Sequence, residues 1–380
     1  VRAERQVLET LRDGALSVQS RRGVRVTERL LVESLSESGP ARVLFGLDTE
    51  GAVALAGRAL WGPEPEISWF TLDAYLGRKV AGVLERNGVR DVRVLVAADL
   101  PGVRVPGEPE PTDARPFDLV ALPFPSGAEA LLGRELIEEA HAALRPGGRF
   151  LAATDNPGGE WLRKVVKEIF GKVGRLEGDK RGAVFIATRT REKAEVRPHG
   201  HKVELEAFER KLVLATRPGV FGHAHLDAGT RALAARMDVR EGERVLDLGC
   251  GYGPLGLAAA IRAREAVLVD SNARAVALAA RNAAANGVET KVRALLRADL
   301  EDLGAEPFDV ALANPPYFSN FRIARSFVER AAQLLRRGGR LALVAKAARE
   351  HAEIVSEVLH VKPAVETAPG GYGIVTAVKL

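Results

Sequence analysis

Four consecutive residues in the second half of the chain have the types and order to do chemistry on an amine. Asn314-Pro315-Pro316-Tyr317 follow the apolar run FDVALA, which reads as a buried strand. A planar amine has two hydrogens to donate, and the Asn314 side-chain oxygen and the Pro315 backbone carbonyl offer two acceptors. The paired prolines stiffen that arrangement. Tyr317 adds a flat face on which a base can stack, an interaction worth about 1–3 kcal/mol. Alone, the segment also suits a proline-rich surface turn, so its neighbours must decide.

Upstream, Val245-Leu246-Asp247-Leu248-Gly249-Cys250-Gly251-Tyr252-Gly253 sets three glycines between an expected strand and an expected helix. Without side chains, Gly249, Gly251 and Gly253 let the backbone turn sharply and approach a ligand whose polar groups meet amides at the helix N-terminus. Asp270, followed by Ser271, ends the next apolar run. It stands about 20 residues beyond Gly249, where a carboxylate accepts hydrogen bonds from both hydroxyls of a ribose. Together the turn and the acid point to an adenosine-containing ligand. Ligands of open parallel sheets bind beyond the carboxyl ends of the strands, which brings Asn314 toward the same place.

The elements that must position these residues alternate short Val-, Leu- and Ile-rich runs with helical-period segments, the pattern of βαβ units. In the second half, strands are predicted near 244–248, 266–270, 291–295, 308–313, 340–345 and 373–379. The stretch ALAARNAAANG is predicted to be a helix closed by glycine. The first half repeats this plan. PFDLVALPFPSGAEALLGRELIEEAHAALRPGGRFLAAT from Pro116 matches PFDVALANPPYFSNFRIARSFVERAAQLLRRGGRLALVA from Pro307, and RVLFGLDTEGAVALAGR from Arg42 matches RVLDLGCGYGPLGLAAA from Arg244. A duplicated domain follows, with residues 1–190 and 191–380 as the two copies and REKAEVRPHGHK as a connection.

The first copy has lost the chemistry. Phe45 replaces Asp247, Leu47 replaces Gly249, Thr49 replaces Gly251, and only Gly51 matches Gly253. Thr71 stands for Asp270, and Pro123-Phe124-Pro125-Ser126 for the Asn314 segment. Neither cofactor nor amine chemistry is expected there. The tract from Trp161 carries seven basic residues, including Arg163, Lys164 and Lys167, against three acidic ones. That excess suits phosphate contacts, and equally a solvated helix face.

These motifs resemble class I S-adenosylmethionine-dependent methyltransferases. DLGCGYG, including Asp247 and Cys250, looks like their cofactor loop, Asp270 like the ribose-binding acid and NPPY like the amino-methylating motif. The resemblance implies that Asp299 hydrogen-bonds the adenine amino group. The tract RPGVFGHAHLDAGTRALA, the duplication and NPPY narrow the likeness to bacterial small-subunit (16S) ribosomal RNA guanine-N2 methyltransferases. In that family the segment around Phe221 and Asp227 folds over the cofactor. The implied fold is α/β, two tandem Rossmann-like class I methyltransferase domains with a degenerate first copy. The implied cofactor is S-adenosyl-L-methionine, and the implied partner is ribosomal RNA or the small ribosomal subunit. The competing readings are methylation of adenine N6 or a protein glutamine, and a noncatalytic cofactor-binding ribosome-assembly factor. Lys346 departs from the small polar residue expected there and, pointing inward, would touch RNA phosphate.

Arg322 and Arg325 follow the motif at helical spacing and are candidate contacts to the RNA backbone. The pairs His199/His201 and His223/His225 lack a cysteine to complete a recognised metal site, and no metal is expected. A single Cys250 among 380 residues excludes a disulfide framework, and a nucleophilic role would need a base partner. With 46% hydrophobic and 28% charged residues the composition is that of a globular protein. The longest apolar run, near Leu255 to Ile261, falls far short of the ~20 residues that span a bilayer. No membrane association is expected, and the charged first residues, unlike a secretory signal, predict a cytoplasmic protein. One Met and one Cys fit a thermophile. A net charge of +5 permits an acidic partner without specifying one.

Overall fold

The computed structural model describes residues 7–11, 16–20, 23–103, 115–178, 180–190, 196, 199–300, 303, 306–316 and 321–380. It divides into two compact units, Val1–His199 and Gly200–Leu380. The division lies nine residues beyond the boundary expected after residue 190. The His199 amide donates to the Glu135 carboxylate at 3.1 Å, which ties that residue to the first unit.

The first unit opens with a hairpin, β1 (Val7–Leu11) and β2 (Leu16–Ser20), and helix α1 (Val26–Glu33). There follow β3 (Arg42–Gly46), α2 (Ala52–Trp61), β4 (Glu66–Thr71), α3 (Ala74–Arg86) and β5 (Arg93–Val96). The unit closes with β6 (Phe117–Pro123), α4 (Ala130–Ala143), β7 (Leu144–Thr154), α5 (Glu160–Phe170), β8 (Gly174–Gly178) and β9 (Ala183–Thr188). Its sheet runs in the order β5-β4-β3-β6-β7-β9-β8.

The second unit opens with the hairpin β10 (His201–Ala207) and β11 (Arg210–Thr216), which the sequence pattern does not announce, and helix α6 (Ala228–Ala234). Then come β12 (Arg244–Leu248), α7 (Pro254–Ala260), β13 (Glu265–Asp270), α8 (Ala273–Ala285) and β14 (Val292–Leu296). Last are β15 (Phe308–Ala313), α9 (Arg322–Leu334), β16 (Leu335–Ala345), α10 (Ala348–Leu359), β17 (Ala364–Ala368) and β18 (Tyr372–Val378). The sheet order β14-β13-β12-β15-β16-β18-β17 reproduces the first, strand for strand. In each sheet the first five strands are parallel, the sixth (β18 or β9) runs antiparallel to them, and the last (β17 or β8) pairs antiparallel with the sixth. β17 is absent from the sequence expectation because it is too polar and exposed to show as an apolar run.

Both sheets stand on the same foot. Arg244 stacks over the Phe308 ring at 4.0 Å and pairs with Glu265, while its amide donates to Asp309 at 2.8 Å. Arg42 repeats this with Phe117 at 4.3 Å, Glu66, and Asp118 at 2.8 Å. Arg336 and Arg145 then hydrogen-bond those two aspartates. In both sheets these residues lie at the amino ends of the parallel strands.

Above the foot, apolar runs make continuous cores. β12 and β3 are buried along their whole length, as strands covered on both faces must be. α7 can lie close on its sheet because Gly256 has no side chain; a Cβ there would stand 2.5 Å from Leu268.

Candidate functional site

The second sheet reverses its winding between β12 and β15, and in open parallel sheets ligands bind at such a reversal, beyond the carboxyl ends of the strands. Leu248 pairs in register with Val269 on one side and Ala313 on the other. The residues just beyond these, Gly249, Asp270 and Asn314, therefore end three adjacent strands. Spacing could order them along the chain, and the sheet puts them side by side.

All three turn glycines take left-handed backbones, with φ of 69° at Gly249, 55° at Gly251 and 93° at Gly253. The Gly249 and Cys250 amides both donate to the Val269 carbonyl, at 2.9 and 3.0 Å. A Cβ on Gly249 would meet the Phe327 ring at 2.9 Å. Gly253 caps α7, and Pro254 begins that helix, where its missing N–H costs nothing.

Asp270 braces this turn. One carboxylate oxygen accepts from the Gly251 amide at 2.8 Å, the other from the Asn272 amide at 2.9 Å. The half-buried carboxylate and the glycines of the turn would suit a ribose-bearing cofactor, whose hydroxyls would meet an acceptor and whose chain would approach the backbone of Gly249, Gly251 and Gly253. Ser271 and Asp299 are also half-buried, just after β13 and β14.

Asp247 lies beneath the turn, 1% exposed, and accepts from the Gly256 amide at 2.7 Å. Burial raises its pKa to about 7, against the opposing Gly256 hydrogen bond, and the Asp270 charge adds to the rise. Burial likewise pushes the Cys250 thiol well up, which keeps it protonated and removes it as a nucleophile.

The segment after β11 packs on this turn. Val220 comes within 3.9 Å of where a Gly251 Cβ would be, and a Gly222 Cβ would lie 3.7 Å from the Tyr252 ring. Two residues of the β13–α8 region hold it there. Asn272 donates to the Gly219 carbonyl at 2.7 Å, and the fully buried Arg274 to the Pro218 carbonyl at 2.8 Å. Phe221, on this segment, is 60% exposed. Asn282 fastens the same region lower down, pairing with both backbone groups of Ala215 and donating to the Tyr252 carbonyl. Sequence reasoning misses these three, since one Asn or Arg in a helix carries no distinguishing signal.

Asn314 is held from one side only. Its side-chain amide donates to the Asp227 carboxylate at 3.0 Å and to the Thr230 hydroxyl at 2.9 Å. Its side-chain oxygen accepts no hydrogen bond among the described residues. Asp227, expected to touch the cofactor, also caps α6 and accepts the Tyr372 hydroxyl at 2.7 Å. Neither Thr230 nor Tyr372 stands out in the sequence. Pro315 is buried and Pro316 half-buried, whereas Tyr317 lies outside the described residues.

Other candidates are spread more widely. Arg322 is exposed at the start of α9, and Arg325 forms an ion pair with Glu357 of α10 at 2.6 Å, which raises its pKa. Lys346 is exposed, its amine 5.5 Å from the Tyr372 ring centre. In the first unit Arg163, Lys164 and Lys167 line the exposed face of α5, whose other face buries Leu162, Val165, Val166, Ile169 and Phe170. The metal-capable grouping among the described residues is Asp99, Glu135 and Glu139, in that unit and not in the crevice. No helix among the described residues is long and apolar enough to cross a membrane.

Residues 211–375 match the methyltransferase small domain family. Ribosomal RNA small subunit methyltransferase C of Pseudomonas entomophila is 30% identical over 239 residues, 60% of this chain and 70% of that relative. The protein of the same name from Chromohalobacter salexigens is 34% identical over 216 residues, 54% of this chain and 62% of its own. Among solved structures, the T. thermophilus 16S rRNA N2 methyltransferase in complex with AdoMet and guanosine superposes with a TM-score of 0.75 at 23% identity. That match covers 99% of this chain and 98% of the other, and it shows the shared two-domain fold.

Proposed function

The chain belongs to the ribosomal RNA small subunit methyltransferase C family, and from that premise we propose that it methylates the exocyclic N2 amine of a guanine in small-subunit ribosomal RNA. It is an S-adenosylmethionine-dependent rRNA methyltransferase. The observation that carries the choice of an amine is the one-sided anchoring of Asn314, whose amide hydrogens are committed to Asp227 and Thr230 and whose oxygen is left to accept.

S-adenosylmethionine supplies an electrophilic methyl group. Asp270 would take the ribose hydroxyls, the turn from Gly249 to Gly253 with Cys250 and Asp247 would carry the rest of the cofactor, and Ser271 would flank the ribose. By family resemblance, Asp299 would accept from the adenine amine, and the segment bearing Phe221 would close over the top.

The Asn314 oxygen and the Pro315 carbonyl each hold one hydrogen of the guanine amine. That aims its nitrogen lone pair away from both carbonyls and toward the cofactor side. As the nitrogen gains a bond it becomes positive, and these same oxygens stabilise charge that the ground state lacks. The surplus proton is then acidic enough to pass to water, so no strong base is required. Pro316 stiffens the strand end, and Tyr317 would stack the extruded base.

The first unit would bind or support RNA through Arg163, Lys164 and Lys167, with Arg322 and Arg325 near the reacting base. Its partner would be the small subunit or its RNA, in the cytoplasm. The test is to incubate the protein with radiolabelled S-adenosylmethionine and separate pools of small-subunit RNA, intact subunits and protein, then analyse nucleosides. N2-methylguanosine is expected. Label in adenine or protein would overturn the assignment, and tight cofactor binding without transfer would make the protein an assembly factor.

A further inference from the structure

We infer that Asp227, Thr230 and Tyr372 form a positioning network that fixes which way the Asn314 amide faces, and so controls the rate of methyl transfer without contributing to cofactor affinity. The inference rests on the reading of Asn314 as the amine acceptor.

An asparagine amide can sit either way round, and the two ends are opposite in hydrogen-bonding sense: the nitrogen donates and the oxygen accepts. Only one orientation serves an amine substrate. The Asp227 carboxylate can only accept, so it selects the orientation in which the Asn314 nitrogen turns inward, at 3.0 Å. Turning the amide over would set oxygen against carboxylate and point a donor at a donor in the substrate.

Capping α6 alone would need less than is present. The Thr230 amide occupies one Asp227 oxygen at 2.8 Å, which satisfies the cap. The other oxygen takes the Tyr372 hydroxyl at 2.7 Å, fixing the carboxylate plane from the first residue of β18. The Thr230 side chain is used again as a second partner for the Asn314 nitrogen at 2.9 Å. Thr230 is 5% and Tyr372 8% exposed, so water has little access to replace either.

Gly229 makes room for this. A Cβ there would lie 2.6 Å from Tyr372 Cε1 and 3.0 Å from the Asp227 carboxylate, with an aromatic ring that cannot simply swing aside. Alanine would ordinarily suit a helix better than glycine. Its absence is explained by the close approach of the Tyr372 ring.

The experiment compares kcat on small-subunit RNA with the Kd for S-adenosylhomocysteine, in the full-length protein. Asp227→Ala also uncaps α6, so the decisive variants are Tyr372→Phe, Thr230→Val and Gly229→Ala. Tyr372→Phe and Thr230→Val are each expected to lower kcat about tenfold, the usual scale for removing one hydrogen bond from a charged network, and Gly229→Ala to lower it by displacing the Tyr372 ring, all with cofactor Kd unchanged within about twofold. Thr230→Ser, which keeps the hydroxyl, is expected to retain turnover close to that of the parent. In an Asn314→Ala background Tyr372→Phe should slow the residual reaction no further, because the group it positions is gone.

Unchanged kcat in Tyr372→Phe would overturn the inference, as would a loss that persists undiminished in the Asn314→Ala background or a parallel rise in cofactor Kd. Those results, with N2-methylguanosine still formed by the parent protein, would leave the functional reading standing. A parent protein that forms no N2-methylguanosine would overturn both.

Discussion

The two units keep one foot and differ at the top. At the amino ends of the strands the arginine, aspartate and phenylalanine sets of Arg244, Asp309 and Phe308 and of Arg42, Asp118 and Phe117 match partner for partner. At the carboxyl ends the backbone is also kept, but the side chains are not. Leu47 holds φ at 63°, close to the 69° of Gly249, and its amide donates to the Phe70 carbonyl as that of Gly249 does to Val269. A left-handed leucine costs on the order of 1–2 kcal/mol, so here the fold imposes a turn that the residue does not favour.

In the first unit the polar groups around this turn are satisfied by the protein itself. The Thr49 amide, matching that of Gly251, donates not to a strand-end acid but to Glu28 of α1, at 2.8 Å. Glu28 also accepts the Thr49 hydroxyl. Asp48 is buried against the start of α2 and bonded to the Trp69 indole, and Glu50 is paired with Lys79 at 2.5 Å. Three carboxylates, of Glu28, Asp48 and Glu50, thus stand in or against this turn. The foot and the buried core are common to both copies, and the side chains at the strand ends are what differ.

The contrast breaks most sharply at the strand end after β15 and β6. Asn314→Ala should lower kcat by about 10²–10³-fold with cofactor Kd unchanged, the scale for losing one aimed dipole in an active site. Pro123→Ala, its counterpart, should leave kcat alone. Steady-state kinetics with calorimetry on both variants would decide, and equal effects would erase the distinction between the copies.

Cofactor binding comes next. Asp270→Ala should weaken it about 10–100-fold, from loss of charge-assisted bonds, while Thr71→Ala should not change it. Titration calorimetry of the parent should give one site per chain; two would mean that the first crevice is open after all.

Replacing Arg163, Lys164 and Lys167 together by Gln should weaken RNA binding and reduce the slope of log affinity against log salt by about 0.7–0.9 for each phosphate no longer neutralised. An unchanged slope would mean that α5 is only a solvated face. It would also leave the first unit a supporting domain.

The smallest effect sharpens a likeness. Asp48 and Asp247 are both raised to about 7, chiefly by burial. In the unfolded chain each titrates near 3.8, so between these values the native state holds the proton and the unfolded state does not. These groups therefore favour folding most at low pH, and that contribution falls as pH rises from about 4 through 7. Asp247→Asn should lose that part of the pH dependence, so the Tm difference from the parent should move in favour of the variant between pH 5 and pH 8. A flat difference would show that Asp247 is not protonated in the fold.

Much of this is legible in the amino-acid sequence alone. The strand-turn-helix with its glycines, the acid at the end of the following strand and the Asn-Pro pair are local signals, set by backbone geometry within a few residues. The duplication is equally plain, because a buried parallel strand must be apolar along its length in either copy. The polar β17, the hairpin of β10 and β11, and the clamps at Asn272, Arg274 and Asn282 are not visible there. Their side chains are of common types, and only their partners make them informative.

The sequence by itself determined which residue types stand at the strand ends of each copy, since a glycine or carboxylate is present or absent at a matched position whatever the fold. Only the tertiary structure decided how Asn314 is aimed. Its partners Asp227 and Thr230 lie 87 and 84 residues away, and Tyr372 reaches Asp227 across 145. A hydrogen bond depends on distance and direction in space, and residues so far apart share no period through which the chain could announce that they meet.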